Sequence, residues 1–451
     1  MNRNFSPEAV SEFAHYYGFH YDNLDPVSLM KDVLRHMERG LHAQPSSLPM
    51  IPSYISPVSH VPPGKTVLAL DAGGTNLRAS LVRFGDNGKA VAEGTVKIPM
   101  PGTQGRIGAE EFFDQIAGLT APLLEKHSGI GGIGFTFSYP MEITSDADGI
   151  LLGLSKEVDA SEVIGKAIGK GLREALARKG INFAGRIVLL NDTVATLLSG
   201  LAEIPPDGEE TKTPDKYGLP EGPVIGFILG TGFNTAYPER VISKIGFDSP
   251  VPQIVVCETG TFAIGCQGIL DREYDATTKN PGAYTLEKAS AGAYLGPLTL
   301  HVLKRAVKDG LLKFERSGEL LAMETLQTKD LNQFRHHPLA AEGPLGGIIG
   351  LDEPGALGTI QYIASIITER GALLSAAAVG AAVERAGGGF EPYAPARIAV
   401  EGTTYMIYKG MRRALESWLH IMLVSGKPRP CVIAPVEQAS LFGAAVAALS
   451  R

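Results

Sequence analysis

The residues best placed to do chemistry are carboxylates and glycines that follow short apolar runs. Val67 to Leu70 ends in Asp71-Ala72-Gly73-Gly74-Thr75-Asn76-Leu77-Arg78, and the chain then turns apolar again as far as Phe84. That order reads as a strand, a tight turn and a second strand. Glycines in such a turn permit positive φ and let a ligand approach backbone N–H groups. A concave set of N–H donors suits a phosphate. Asp71, at the strand end, offers the hard oxygen chemistry through which Mg²⁺ is held by way of its own waters. The turn alone fits an ordinary glycine hairpin; Thr75, Asn76 and Arg78 shift the reading towards a nucleotide. A second unit, Val224 to Tyr237, repeats the pattern: apolar strand, Gly230-Thr231-Gly232, Phe233, Asn234, apolar strand. The echo suggests an internal duplication with one phosphate hairpin in each of two domains.

Three more carboxylates stand out. Asp192 in Leu190-Asn191-Asp192-Thr193-Val194 follows the apolar run Ile187–Leu190, so it sits at a strand end, where sites of α/β proteins gather. A carboxylate there can take a proton from a hydroxyl, a contribution typically on the order of 10²–10⁴-fold. The same Asn-Asp-Thr also reads as a helix cap. Glu258 follows Ile254–Cys257 and precedes Thr259-Gly260, another strand end. Glu287 in Tyr284-Thr285-Leu286-Glu287-Lys288 lies near a helix start, and both glutamates have a plainer reading as solvated or capping groups. Asp146-Ala147-Asp148-Gly149 lacks the rest of a calcium loop, and His336-His337 reads as a polar loop pair.

The elements that must hold these groups alternate. Residues 7 to 40 read as helical, with Asp25-Pro26 a helix start, and 45 to 65 as an extended linker. Strand-like runs lie at Val67–Leu70, Leu77–Phe84, Ala90–Ile98, Ile133–Phe137 and Ile187–Leu190, with helices near Ala109–His127 and Ser161–Arg178, which is α/β alternation. The Pro-rich stretch Ile204–Pro223 reads as an exposed loop. After the second hairpin the chain reads as mostly helical, closing with strands at Arg397–Val400 and Cys431–Ala434 and a helix from Ser440. With 451 residues, two domains are expected. A net charge of −7 gives no footprint for nucleic acid. The three cysteines, Cys257, Cys266 and Cys431, form no zinc knuckle or disulfide framework, which fits a reducing cytosol. The N-terminus lacks a signal-peptide core. The alanine-rich stretch Ala372–Val383, flanked by Glu369, Arg370, Glu384 and Arg385, is too short to span a membrane and reads as a buried helix.

Taken together, these motifs resemble the hexokinase family of the actin-like ATPase superfamily, over nearly everything after about residue 45. Leu48-Pro49-Met50-Ile51-Pro52-Ser53-Tyr54 is similar to the segment before the family's first phosphate motif, which Asp71–Arg78 matches. Gly134-Phe135-Thr136-Phe137-Ser138-Tyr139-Pro140 resembles the sugar signature, Leu190–Val194 the catalytic motif and Gly230–Asn234 the second phosphate motif. The resemblance implies two actin-like (ribonuclease H-like) α/β domains, mixed sheets flanked by helices, with a cleft for sugar and ATP between them. It puts a small domain at 66–193 plus 440–451 and a large one at 1–60 plus 195–438. It implies ATP-dependent phosphorylation of a hexose, glucose foremost, at the 6-hydroxyl, with Mg²⁺ and with closure of the domains on the sugar. By resemblance Asp192 is the general base, while Ser138, Ser155, Lys156, Asn191, Asn234, Glu258 and Glu287 hold sugar hydroxyls. Asp71 organises Mg²⁺ through water. Gly73, Gly74, Thr75, Asn76, Arg78, Gly230, Thr231 and Gly232 surround the phosphates, and Glu401-Gly402-Thr403 stands at the adenosine motif.

The chain also departs from the family. Thr-Lys-Gly-Phe becomes Ser155-Lys156-Glu157-Val158, Glu-Trp-Gly becomes Glu258-Thr259-Gly260, and Ala293 replaces a lysine common near ATP. The adenosine-motif Asp is Glu401, and Gly-Ser-Gly-Lys-Gly becomes Ala439-Ser440-Leu441-Phe442-Gly443. Most of these changes fall on the nucleotide side, which keeps a non-catalytic sugar sensor on the same fold as the alternative. A kinase of the open-reading-frame/repressor type is disfavoured, because its cysteine-rich zinc motif is missing.

Overall fold

The computed structural model describes residues 5–57, 62–85, 89–127, 129–154, 158–202, 222–340, 342–350, 352–390, 394–424 and 429–450. Among them the strands are β1 (Ile51–Pro52), β2 (Thr66–Ala72), β3 (Asn76–Phe84), β4 (Ala90–Pro99), β5 (Gly132–Phe137), β6 (Met141–Ile143), β7 (Gly149–Leu151) and β8 (Arg186–Leu190), then β9 (Val224–Leu229), β10 (Phe233–Ile242), β11 (Phe247–Val256), β12 (Ala396–Glu401) and β13 (Cys431–Pro435). They form a five-stranded sheet, β4-β3-β2-β5-β8, a six-stranded sheet, β1-β11-β10-β9-β12-β13, and a small β6-β7 ribbon. In the first sheet β2, β3 and β4 run antiparallel and β5 and β8 parallel to β2. The second repeats this with β9, β10 and β11 antiparallel and β12 and β13 parallel to β9. The duplication expected from two short hairpins therefore extends to the whole sheet topology.

The central strands β2 and β5 read as continuous apolar runs because they are buried on both faces. Edge strand β4 carries Glu93 and Lys97 and is largely exposed, as suits an unpaired edge. Each sheet has its own apolar core. A third cluster lies between the sheets and joins Val67 and Val188 of the first to Ile254 and Ala399 of the second. Two helices fill that layer, Asp192–Ala202 and Ala439–Leu449, which pack on each other. Their approach to the sheets is close. A Cβ on Gly134 would stand 1.7 Å from Ala444 O, and one on Gly443 2.0 Å from Ala195 O. Gly443, in a segment that departs from the family, thus serves helix packing.

Residues 7 to 40 form two helices, Pro7–Tyr17 and Pro26–Leu41, because Gly18 takes φ +77° and ends the first. Asp25 caps the second, accepting from the Ser28 N–H at 2.8 Å. The alanine-rich stretch belongs to a helix far longer than expected, Pro354–Arg385. Its 32 residues are long and apolar enough to cross a membrane, yet 94% of its most apolar window is buried inside the protein. An all-round apolar helix needs such a surround. Its buried central charge, Arg370, beside the half-buried Glu369, is answered by a bidentate pair with buried Asp271 at 2.6 and 2.7 Å. Strand β11 begins at Phe247, in a stretch expected to be mostly helical, and Ser161–Arg178 is helical only from Ile168 apart from a short 3₁₀ turn. The exposed loop expected at 204–223 lies outside the described residues up to 221.

Candidate functional site

The carboxyl ends of β2, β5, β8, β9 and β12 deliver the site. Asp71 closes β2, nearly buried, with the Arg78 Nε 3.3 Å from its Oδ2. Burial raises its pKa above the usual carboxylate range, and the nearby Asp192 adds to this while Arg78 opposes it. Beyond it the chain turns at Gly73–Asn76, where the Gly73 N–H donates to Asn76 O at 3.0 Å. None of the glycines at 73, 74, 230 and 232 takes left-handed backbone, so positive φ is not what the hairpins require. Gly74 instead supplies empty space: a Cβ there would meet no atom within 4 Å. The loop is held from behind by Tyr139, whose hydroxyl donates to Gly73 O at 3.0 Å, and by the Met100 N–H on Thr75 O at 3.0 Å. Asn76 donates to the Thr75 hydroxyl at 2.7 Å. Ser138 lies exposed at the end of β5, its N–H on Ala72 O at 3.0 Å.

Both readings of Asn-Asp-Thr hold, for different residues. Asn191 caps helix Asp192–Ala202, its Oδ1 accepting from the Thr193 N–H at 2.8 Å. That frees Asp192, in the first turn, from capping. Its carboxylate accepts from the Thr193 hydroxyl at 3.3 Å, and burial raises its pKa against that bond and the backbone N–H groups of Thr193 and Asp192.

On the second sheet, Asn234 bridges two elements. Its Nδ2 donates to Glu258 Oε1 at 3.0 Å, while its Oδ1 accepts from Thr235 N and Thr259 N at 2.8 and 3.2 Å. Glu258 has φ +54°, a costly conformation for a residue with a Cβ. Burial first, then the charges of Asp192 and Glu287, push its pKa up to about 7 against the Asn234 bond. Glu287, third residue of helix Thr285–Ser290, accepts from the Phe233 N–H at 3.1 Å. A Cβ on Gly232 or Gly260 would come to 3.0 or 2.9 Å from Glu287 Oε2, so these glycines make room for the carboxylate. Thr259, standing where the family has an aromatic wall, is buried and bonded to Thr235 at 2.6 Å.

The second hairpin is packed from both sides. Gly230 O accepts from Gly292 N at 2.8 Å and from the Thr404 hydroxyl at 2.7 Å. Gly402 has φ +123°, and a Cβ on it would lie 2.3 Å from Leu229 O; only glycine lets the Glu401-Gly402-Thr403 segment come so close. Glu401 ends β12. Burial, then the charges of Asp192 and Asp71, raise its pKa to about 7, opposed by Arg78. The position assigned to adenosine recognition thus faces the carboxylates of the cleft.

Asp71, Asp192, Glu258, Glu287 and Glu401 consequently form one electrostatically connected group drawn from both sheets. Asn191, Asn234 and the two hairpins surround it. An oxygen donor such as Asp71 suits a hard cation such as Mg²⁺ held through its waters, while among the described residues no three of these carboxylates bring ligand atoms within 4.8 Å of one another. Ser155 and Lys156 lie outside the described residues. Tyr139, Gly260, Gly292 and Thr404 support the site without having been singled out, since their roles come from contacts with segments distant in the chain. Tyr139 was nearest to legible, inside the Gly134–Pro140 motif.

Comparison with known proteins gives the family and the fold. Residues 10–202 and 224–450 each match a family model described as hexokinase. The chain is 30% identical to hexokinase-1 of Oryza sativa subsp. japonica over 92% of its own length and 85% of that protein. It is 29% identical to human hexokinase-3 over 86% of its own length, spanning 41% of that longer protein. Its fold superposes on a Schistosoma mansoni hexokinase solved with glucose at a TM-score of 0.73, with 24% identity, covering 99% of this chain and 100% of that one.

Proposed function

The chain belongs to the hexokinase family and is a sugar-phosphorylating enzyme; on that premise we propose that it transfers the terminal phosphoryl group of ATP to the 6-hydroxyl of a hexose, glucose foremost, with Asp192 as general base. The observation that carries this reading is the placement of Asp192. It heads a helix between the two sheets, released from capping by Asn191, with a carboxylate made more basic by burial. A more basic carboxylate accepts a hydroxyl proton more readily.

In this reading Glu258, Asn234, Glu287, Asn191 and Ser138, together with Ser155 and Lys156, hold the sugar hydroxyls. Each hydroxyl both donates and accepts, so carboxylates and amides already fixed by their own hydrogen bonds select among sugars. Gly73–Asn76 and Gly230–Gly232 form two jaws around the phosphates, offering backbone N–H groups other than those of Gly73 and Gly230, which close the turns on Asn76 O and Gly232 O, with Arg78 beside the first. Asp71 would hold Mg²⁺ through water, an ion that neutralises charge on phosphate oxygens when bound. Phosphoryl transfer asks mainly for positioning and charge stabilisation, which suits a site built from two hairpins and a base. The jaws stand on separate sheets joined by the paired helices, so closure on the sugar would bring them together and exclude water as a competing acceptor.

The test is a coupled assay of ADP formation with glucose and Mg-ATP, alongside calorimetric titration of glucose. Asp192→Ala is expected to lower kcat by about 10²–10⁴-fold with sugar affinity changed only severalfold. Turnover like that of the unaltered protein would refute the base. Sugar binding without any ADP from the unaltered protein would establish the sensor reading.

A further inference from the structure

We infer that Arg335 and the N-terminus of the helix Met411–Val424 form a site for a small tetrahedral oxyanion, inorganic phosphate above all. Arg335 lies in the helix Thr328–His336 and is only 4% exposed. Among the described residues it ion-pairs with no carboxylate. A buried charge is costly unless a counter-charge and a full set of hydrogen bonds answer it. Arg335 has neither.

Its guanidinium is bonded on one side. Nη1 donates to the Thr368 hydroxyl at 2.7 Å and to Lys409 O at 2.8 Å, and the guanidinium carbon lies 5.1 Å from the centre of the Tyr408 ring. Nη2 has a single contact, 3.4 Å from the Ser365 hydroxyl, and Nε is buried without an acceptor. Nε and Nη2 share one edge of the guanidinium plane. That edge presents two parallel N–H groups, the fork that grips an oxyanion through two of its oxygens.

The free edge is reached at Gly410, which is exposed and has φ +86°. A Cβ there would meet nothing closer than Arg335 Nη2 at 3.8 Å and the Thr368 methyl at 3.9 Å, so an atom entering over Gly410 comes upon Nη2 unobstructed. Gly410 directly precedes the helix Met411–Val424, and the N–H groups of Gly410, Arg412 and Arg413 take no backbone acceptor. Such N–H groups at a helix start favour an anion. The first turn carries no acid, and Lys409, Arg412 and Arg413 make it basic. Glu416, one turn on, is taken by Arg412 at 2.8 Å. The burial of Arg335 leaves room for a bare ion and none for the remainder of a sugar phosphate or a nucleotide. The segment is already tied to Asn332, whose Oδ1 accepts from the Lys409 N–H at 2.8 Å and whose Nδ2 donates to Ile407 O at 3.3 Å. It also follows Thr404, whose hydroxyl holds Gly230 O at 2.7 Å, so a bound ion anchors the chain behind the second hairpin.

Nothing in this site depends on the role of Asp192. The experiment titrates inorganic phosphate and glycerol 3-phosphate into the full chain by calorimetry near neutral pH, with glucose and Mg-ADP present to fill the catalytic cleft. Phosphate is expected to bind with a Kd of about 1 mM, and glycerol 3-phosphate at least about tenfold more weakly. Arg335→Lys keeps a charge and loses the fork, and is expected to weaken phosphate at least about tenfold. Gly410→Asp sets a carboxylate over the free edge, and Gly410→Asn sets the same shape there without the charge; both residues tolerate left-handed backbone. Gly410→Asp is expected to abolish phosphate binding and, in phosphate-free buffer, to unfold at a higher urea concentration than Gly410→Asn. No saturable binding by about 20 mM phosphate overturns the site. Binding retained in both Arg335→Lys and Gly410→Asp overturns it by placing the ion elsewhere. Equal stability of Gly410→Asp and Gly410→Asn overturns it too, and this comparison decides the matter if Arg335→Lys does not fold. Glycerol 3-phosphate bound as tightly as phosphate overturns the assignment to a bare ion.

Discussion

Replacing Glu258 by glutamine is expected to stabilise the protein above neutral pH while weakening sugar binding. The folded protein holds this carboxyl near pKa 7, against an ordinary 4.5, because burial and the charges of Asp192 and Glu287 disfavour the ionised form. Below about pH 4.5 both folded and unfolded chains carry the proton, and the group contributes nothing. Between about 4.5 and 7 the unfolded chain releases the proton and the folded chain keeps it, so stability falls as pH rises. Above 7 the loss is complete. At about 1.4 kcal/mol per pH unit the full cost is roughly 3 kcal/mol. Glutamine keeps an acceptor for the Asn234 Nδ2 bond at 3.0 Å and has nothing to ionise. Urea unfolding without sugar is therefore expected to show Glu258→Gln more stable by about 1–3 kcal/mol at about pH 8, shrinking to less than half of that by about pH 5.5. Calorimetry should show glucose binding weakened by about 1.5–3 kcal/mol, the worth of a hydrogen bond to a charged group. A variant no more stable than its parent at pH 8, or equally stabilised at both pH values, would refute the claim that a strained carboxylate is kept there for the sugar.

Other perturbations separate packing from ligand contact. Gly74→Ala adds a methyl that touches nothing in the protein, so its unfolding free energy should change by less than about 0.5 kcal/mol, while the KM for ATP rises because the methyl occupies the space of the phosphates; an unchanged KM would count against the first jaw. Gly402→Ala meets Leu229 O at 2.3 Å in a left-handed conformation and should cost at least about 3 kcal/mol in denaturant unfolding; a neutral result would mean that the segment does not approach the hairpin so closely. Arg370→Met leaves Asp271 buried without its ion-pair partner, with an expected loss of about 3–5 kcal/mol in urea unfolding; a loss below about 1 kcal/mol would mean that the pair does not hold the long helix in place.

Strand ends were legible from the sequence because a buried strand is an apolar run and its end is marked by the first polar residue. Asp71, Asp192 and Glu258 were found at the ends of such runs, whereas Glu401, which ends β12, was reached only through the family resemblance. The helix Pro354–Arg385 was underestimated because an all-round apolar helix has no polar face to mark its ends. Of the two reasons read for the glycines, open approach for a ligand fits the turn at Gly73–Asn76 and positive φ does not; the left-handed backbone belongs to Gly402, in a segment whose close neighbour, Leu229, lies far away in the chain.

The sequence by itself marked the candidates for the chemistry and determined that the chain is built from two copies of one hairpin unit, because period, turn residues and motif order are local properties. Only the tertiary structure decided what those residues are worth. The five carboxylates come from five separate segments; burial raises the pKa of each, and repulsion by neighbouring carboxylates adds to it for Asp71, Glu258 and Glu401. Coulomb coupling depends on distance in space and on the surrounding dielectric, neither of which is written along the chain. The same holds for the role of Glu401, a nucleotide-side residue in sequence and a member of the carboxylate group in space.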